Sequence, residues 1–406
     1  MAYNAVFQPQ HQNRYLVYKL PFPTGRVNQH LHEPKAFGLS PYFSQGSDAQ
    51  LQSLVEPLFQ TLELQIFGFS SIARRNEILR EIADRMPEIR SFYAEPIEAE
   101  DYMLATWMLR GACLLVCYMQ NYDHTIMLIE RHLGSYGVIC FHCDIVILGN
   151  QIPFWLITLL RPGESYKQML LDHFSNPNLF YDGIAPVLPW EDGVDNLPKH
   201  YLEALHRVHF TFPEVQQATD PWELSDDSNR SATELILKGI RFKSCSHDLR
   251  DIRFTRSGKL YLPKIFINAD FEVLYSNLIA YEISPEVETT FGVLSYIDFL
   301  KSLVVNSNDV KVLKEAKILY TILSTDDEIV DALKRVDTYR LSTNDLLRAV
   351  KAKIDRHCRS RAKTWVADLK KTHFKSPWTV IALFAAIFVI GLYIVQTVCA
   401  VLSVRK

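Results

Sequence analysis

One stretch constrains the whole chain. Thr379–Val404 reads TVIALFAAIFVIGLYIVQTVCAVLSV, 26 residues without a charge. As a helix rising about 1.5 Å per residue it would reach roughly 39 Å, against a bilayer hydrocarbon core of about 30 Å. Core helices of globular proteins are usually shorter and polar along one face, whereas this stretch is apolar all round, interrupted only by Gln396 and a few hydroxyls. It predicts a single C-terminal transmembrane helix from Thr379 to Val404. Lys370, Lys371 and Lys375, with Trp378, form a headgroup-level flank on one side, and Arg405 and Lys406 on the other. Two residues follow the span, which sets the expectation of a tail anchor inserted after translation. The first twenty residues show no basic start followed by an apolar run and a cleavage site, so the bulk of the chain is expected in the cytosol.

Charge points the same way. Between Arg348 and Lys375 ten basic residues face two acids, Asp355 and Asp368, and positive charge favours the cytoplasmic side of a span. With a net charge of −3 overall, residues 1–347 carry about −13 once that basic run and the last two residues are set aside. An acidic body on a basic stalk suits an anionic lipid surface and argues against nucleic acid as a partner. Seven cysteines, one inside the span and four in apolar surroundings, lack the density of a secreted disulfide framework; reduced core thiols are expected.

Four segments follow from this: a disordered N-terminus (1–14), a helical body (15–347), a basic juxtamembrane helix (348–378) and the transmembrane helix (379–404). Prolines at 21, 23, 34 and 41 make residues 15–46 an extended segment draped over the body, with His30 and His32 on the surface. Apolar residues at helical spacing follow from Leu51 to Ile82. The run YMLATWMLRGACLLVCYM carries Arg110 at its middle, which favours a buried helix over a second membrane pass. In the apolar stretch from Tyr136 to Leu160, Asp144, Asn150 and Gln151 need hydrogen-bond partners, and Pro153 has to sit near a helix start. Ser231 with Glu234 is a capping box, and Gly239 a C-terminal cap. The two β-rich runs around Ser257 and Gly258 predict a hairpin, and helices are expected at 270–282, 293–305, 309–323 and as a long run from Asp326 to Phe374. The fold class is mainly α: a multi-helix bundle with a small β-hairpin and one C-terminal transmembrane helix.

Several blocks then resemble one plant family, the domain of unknown function 247 family, also called uncharacterised protein family 0481. They are EPKAFGLSPYFSQG, YAEPIEAEDYMLATWMLRGACLL, DIVILGNQIPFWLI, RSATELILKGIRFK, DIRFTRSGKLYLPKIFINADFEVLYSNLIAYE and FKSPWTVIALFAAIFVIGLYIVQTV, spanning roughly Tyr15 to Leu402. Departures are local. The family's usual leucine-glutamate-asparagine-glutamine is here Leu148-Gly149-Asn150-Gln151, and its aspartate-glycine-cysteine is replaced around Arg110-Gly111-Ala112-Cys113. The resemblance implies a mainly helical plant protein with one C-terminal span and no established activity. Some relatives act at reproductive loci, as pollen determinants of self-incompatibility or as a suppressor of female organ development, so recognition or developmental regulation is the function it implies.

Catalytic motifs are scarce. No phosphate loop, HExxH or GxSxG is present. Cys140 and Cys143, with His142 between and Cys113 and Cys117 upstream, read as core packing rather than a zinc site, since zinc needs four converging ligands. His206 and His209, three apart with Glu203, read as helix-surface residues. No cofactor, metal or catalytic residue is assigned. The expectation is a non-enzymatic, tail-anchored protein whose partners are the bilayer and another protein. The alternatives are a membrane-tethered enzyme with a site near Asp144, Asn150 and His142, or an extracellular recognition domain glycosylated at the Asn229 sequon.

Overall fold

The computed structural model describes residues 17–19, 29–44, 49–68, 72–176, 197–210, 230–245, 249–285, 287, 289–339, 347–359, 385, 386 and 388–397. Its N-terminal half holds nine helices among these residues: α1 (Pro41–Ser44), α2 (Ala49–Phe67), α3 (Ile72–Asp84), α4 (Met86–Ser91), α5 (Asp101–Gln120), α6 (Tyr122–Asp144), α7 (Trp155–Leu160), α8 (Tyr166–Phe174) and α9 (Tyr201–His209). The C-terminal half interleaves α10 (Ala232–Leu237), β1 (Arg241–Ser244), β2 (Arg253–Phe254), β3 (Lys259–Leu262), β4 (Ile265–Ile267), α11 (Phe271–Glu282), α12 (Gly292–Leu303), α13 (Ser307–Glu315), β5 (Leu319–Thr321), α14 (Asp326–Arg335) and α15 (Arg348–Arg359).

The hub is α5. By length and composition it could cross a bilayer, yet α2, α3, α6, α7 and α8 all pack around it, burying Leu104, Met108, Leu109, Leu115 and Tyr118. Its one mid-helix charge, Arg110, turns to α2 and pairs with Glu56 at 2.7 Å and Glu63 at 3.6 Å. A long apolar helix is thus a core helix here because amphipathic neighbours surround it. In the second half α11 packs on α12 and α14, and it also touches α9 and the turns at Gln29–Leu31 and Leu148–Asn150. That helix joins both halves into one hydrophobic core.

The hairpin forms where the two β-rich runs predict it, β2 and β3 pairing antiparallel about Ser257 and Gly258. Two strands escaped the sequence reading. β1 adds parallel to β3, and β5 pairs parallel with β4 where a helix was expected to run on to 323. That helix stops because Lys317 adopts a left-handed φ of 56°, which no glycine announces. The long helix expected from Asp326 likewise ends at Arg335, and Val336 is extended while its carbonyl accepts the Lys301 ammonium at 2.7 Å.

The basic helix α15 packs on the body. It buries Val350, Ile354 and Cys358, pairs Asp355 with Arg230 at 2.9 Å, and sets His357 edge-on to Phe254 at 5.4 Å. At the capping box, Ser231 Oγ accepts the Glu234 N–H while Glu234 accepts the Ser231 N–H at 3.0 Å, and Gly239 follows with a φ of 80°.

Candidate functional site

The polar residues embedded in the α6–α7 connection meet at one place. Asp144, Asn150 and Gln151 are buried, and each binds backbone. Asp144 Oδ1 accepts the Lys35 N–H at 2.8 Å, and its Oδ2 accepts those of Ala36 and Phe37, also at 2.8 Å. Asn150 Oδ1 takes the N–H groups of Leu39 and Ser40, while its amide donates to the carbonyls of Phe37 at 2.7 Å and Asp144 at 2.9 Å. Gln151 donates to Ile145 and Ile147 and accepts from Leu202 of α9 at 3.0 Å.

From the other side, Asn277 of α11 donates to the carbonyls of Leu31 and Val273 at 2.8 Å and accepts from the Leu148 N–H at 3.0 Å. The same oxygen lies 3.0 Å from His32 Nδ1, which as the donor fixes the tautomer. Residues 32–40, beyond the turn at Gln29–Leu31, therefore form a strap without regular structure in which side chains satisfy several of the backbone groups, the requirement any buried loop has to meet. His32 is accordingly buried, not on the surface as its setting among polar residues suggested. Further along the strap, Tyr42 bonds the Glu95 carboxylate, and Lys19 N–H reaches Glu95 at 3.1 Å.

This arrangement holds backbone in place. Both Asp144 oxygens and both ends of the Asn150 amide are engaged, so neither side chain presents a group to a substrate. Burial pushes the Asp144 carboxyl up to about 6, against three N–H donors and the Lys35 charge that pull it down. His142 does not join them. It stacks on Tyr122 with ring centres 6.3 Å apart, and burial lowers it to about 4.

Glu203 and His206 are also buried rather than on a helix surface. Glu282 accepts from His206 Nε2 at 2.8 Å and from the N–H groups of Val293 and Leu294, which starts α12 behind Phe291 in a left-handed conformation. Glu203 accepts the Lys199 N–H at 2.8 Å and pairs with Arg207. His209 is half-buried. Cys113, Cys117, Cys140 and Cys143 are free and buried, and burial pushes Cys117 up to about 11 and Cys143 to about 12, so neither is a thiolate at neutral pH. Among the described residues no group of His, Cys, Asp or Glu converges as a metal site.

In the apolar C-terminal stretch, Phe388–Thr397 is a helix with every residue exposed. The bounds Thr379 and Val404, the flank Lys370, Lys371 and Lys375, and the sequon residue Asn229 lie outside the described residues.

Compared with known families, residues 17–392 match a plant protein family of unknown function, DUF247. The chain belongs to this family. Two relatives come from Arabidopsis thaliana: UPF0481 protein At3g47200, 22% identical over 95% of this chain and 86% of its own, and putative UPF0481 protein At3g02645, 26% identical over 43% of this chain and 33% of its own. No solved structure matches. In this DUF247 chain Gly149 is closed off by backbone: a Cβ there would stand 2.7 Å from the Lys19 carbonyl and 3.2 Å from that of Tyr18. The sequence flagged one half of the clamp through its polar residues in an apolar run. Asn277, Tyr42 and Glu95 had no such signal, since their partners lie far away in the chain.

Proposed function

We propose that this DUF247 protein is a non-enzymatic, single-pass membrane protein, anchored by Thr379–Val404, whose helical body recognises another protein from the cytosolic side in a plant reproductive or developmental pathway. One observation carries the anchor. In the helix Phe388–Thr397, Phe388 is 68% exposed, Ile390 60% and Tyr393 66%, an apolar cylinder that no part of the described body covers. Such a surface calls for an apolar environment, and a bilayer supplies one. The acidic body and basic flank support a cytosolic body, and the full engagement of Asp144 and Asn150 supports a recognition role over catalysis there. The choice of reproductive or developmental pathway rests on family resemblance alone.

Topology is the test. The protein tagged at both ends is expressed in plant cells, and sealed membranes are treated with protease while Asn229 is assayed for glycan. Digestion of an unglycosylated body from the cytosolic side is the expected result. A protected, glycosylated body overturns the orientation and makes an extracellular recognition domain the reading.

A further inference from the structure

Apart from the clamp, the body holds a cavity of about 350 Å³ where α4, the start of α7 and the residues before α9 meet. That size is at the small end of ligand pockets, which run to roughly 300–1,000 Å³. Its apolar lining comes mostly from rings: Phe92, Phe154, Trp155, Pro153 and Pro198, with Leu197. Tyr166 completes the wall, edge-on to Phe154 at 5.4 Å. The two sides are tied by one backbone bond, Phe154 N–H to the Lys199 carbonyl at 2.8 Å.

The polar groups of the lining decide what enters. Glu88 is paired with Arg85 at 2.6 Å, and the Arg85 guanidinium lies 3.6 Å over the Trp155 ring, so that carboxylate already has a cation beside it. Ser91 and Thr158 donate their hydroxyls to the carbonyls of Glu88 and Trp155. Two groups have no partner among the described residues: the ammonium of the exposed Lys199 and the buried hydroxyl of Tyr166. Burial pushes the Tyr166 phenol well up, so it keeps its proton. Both uncommitted groups are therefore donors, and one carries positive charge. A buried donor without an acceptor is unfavourable, ring-lined walls favour a planar apolar body through edge and offset contacts, and the free cation selects an anion.

We propose that this cavity binds a small aromatic carboxylate, its ring among Phe92, Phe154 and Trp155 and its carboxylate toward Lys199. Such a ligand leaves the clamp untouched and depends on neither the topology nor the partner proposed above.

The test uses the full-length protein in lipid nanodiscs, titrated calorimetrically with 1-naphthoate and its uncharged counterpart 1-naphthamide, with empty discs as the blank. One saturable site is expected, naphthoate binding about fivefold more tightly than the amide. Lys199→Gln, at an exposed residue, should abolish that preference while leaving amide binding in place. Thr158→Trp, which fills the cavity from an exposed position of its lining, should abolish binding of both compounds at an unchanged melting temperature. The proposal is overturned by the absence of saturable binding, by a preference that survives Lys199→Gln, or by binding that survives Thr158→Trp in a folded protein.

Discussion

Asp144→Ala is the sharpest perturbation of the fold. The wild-type carboxylate accepts three N–H groups, each at 2.8 Å. An unsatisfied buried donor costs about 1–3 kcal/mol. Lys35 is exposed and Ala36 half-buried, so water can rehydrate part of what is lost, whereas Phe37 is fully buried. The expected loss is therefore roughly 3–5 kcal/mol, a large share of the 5–15 kcal/mol that is typical of a domain. Asp144→Asn keeps one acceptor oxygen and turns an amide toward the remaining donors, for about half that loss. The assay is equilibrium urea unfolding in detergent, paired with hydrogen exchange read on a peptide covering residues 29–44. Exchange in that peptide should accelerate before global unfolding, because the strap loses its anchor while α5 and its neighbours keep theirs. A loss below about 1 kcal/mol, with the strap still protected, refutes the idea that these bonds hold it down.

Three further outcomes follow from other sites. Gly149→Ala places a Cβ 2.7 Å from the Lys19 carbonyl; overpacking of this kind costs about 1–3 kcal/mol, and the melting temperature should drop with earlier proteolysis near residues 17–19. Burial holds His142 and His200 at about 4 and His173 at about 3, so the unfolded chain binds more protons at these sites below its ordinary pKa of about 6.5. Their stabilisation is lost as pH falls from about 6.5 toward 4, whereas Asp144, raised to about 6, contributes stability that is lost as pH rises from about 4 to 6. His32, also lowered by burial, adds to the histidine side and Asp270, also raised by burial, to the carboxyl side; the histidines outnumber the carboxyls, and calorimetric melting at pH 7, 6 and 5 should show falling stability, whereas a flat profile contradicts the buried neutral histidines. Tyr166→Phe removes an unpaired buried hydroxyl and should raise stability by about 1 kcal/mol in urea titrations of the ligand-free protein.

What the sequence revealed and what it hid divide along physical lines. Local signals read correctly: the Ser231 capping box, the turn at Ser257 and Gly258, the apolar density of α5, and the need of Asp144, Asn150 and Gln151 for partners. Each depends on residues within a few positions of one another. The parallel strand β5 was missed because its partner β4 lies more than fifty residues earlier, and parallel pairing leaves no turn to mark it. The break after Arg335 lacks a glycine or proline. His32 and His206 were misplaced for one reason: a polar residue in a polar stretch looks exposed until a distant acceptor, Asn277 or Glu282, is brought to it. The cavity was likewise illegible, since its walls come from four separate segments.

The two ends of the body are fastened by the same device, a buried carboxylate or amide reaching across the chain. At one end Asn277 holds the strap at Leu31 and His32, contacts that span 245 and 246 positions. At the other, Asp355 of α15 meets Arg230, 125 positions away. Contacts so distant close large loops, and they form only once the elements supplying their partners are in place. On the proposed reading of Thr379–Val404 as the span, the fastening of α15 sets the tether: 19 residues separate Arg359 from Thr379, which covalent geometry limits to about 65 Å when fully extended. On the same reading Arg361, Lys363, Lys370, Lys371 and Lys375 fall within those 19 residues, close enough in sequence to the span to meet anionic lipid. On that reading, a free α15 would lengthen the reach by a helix and hold the acidic body less closely to the membrane surface. On that reading the ion pair between Asp355 and Arg230, a fold contact in the structure, would also be the point from which the body is tied to its anchor.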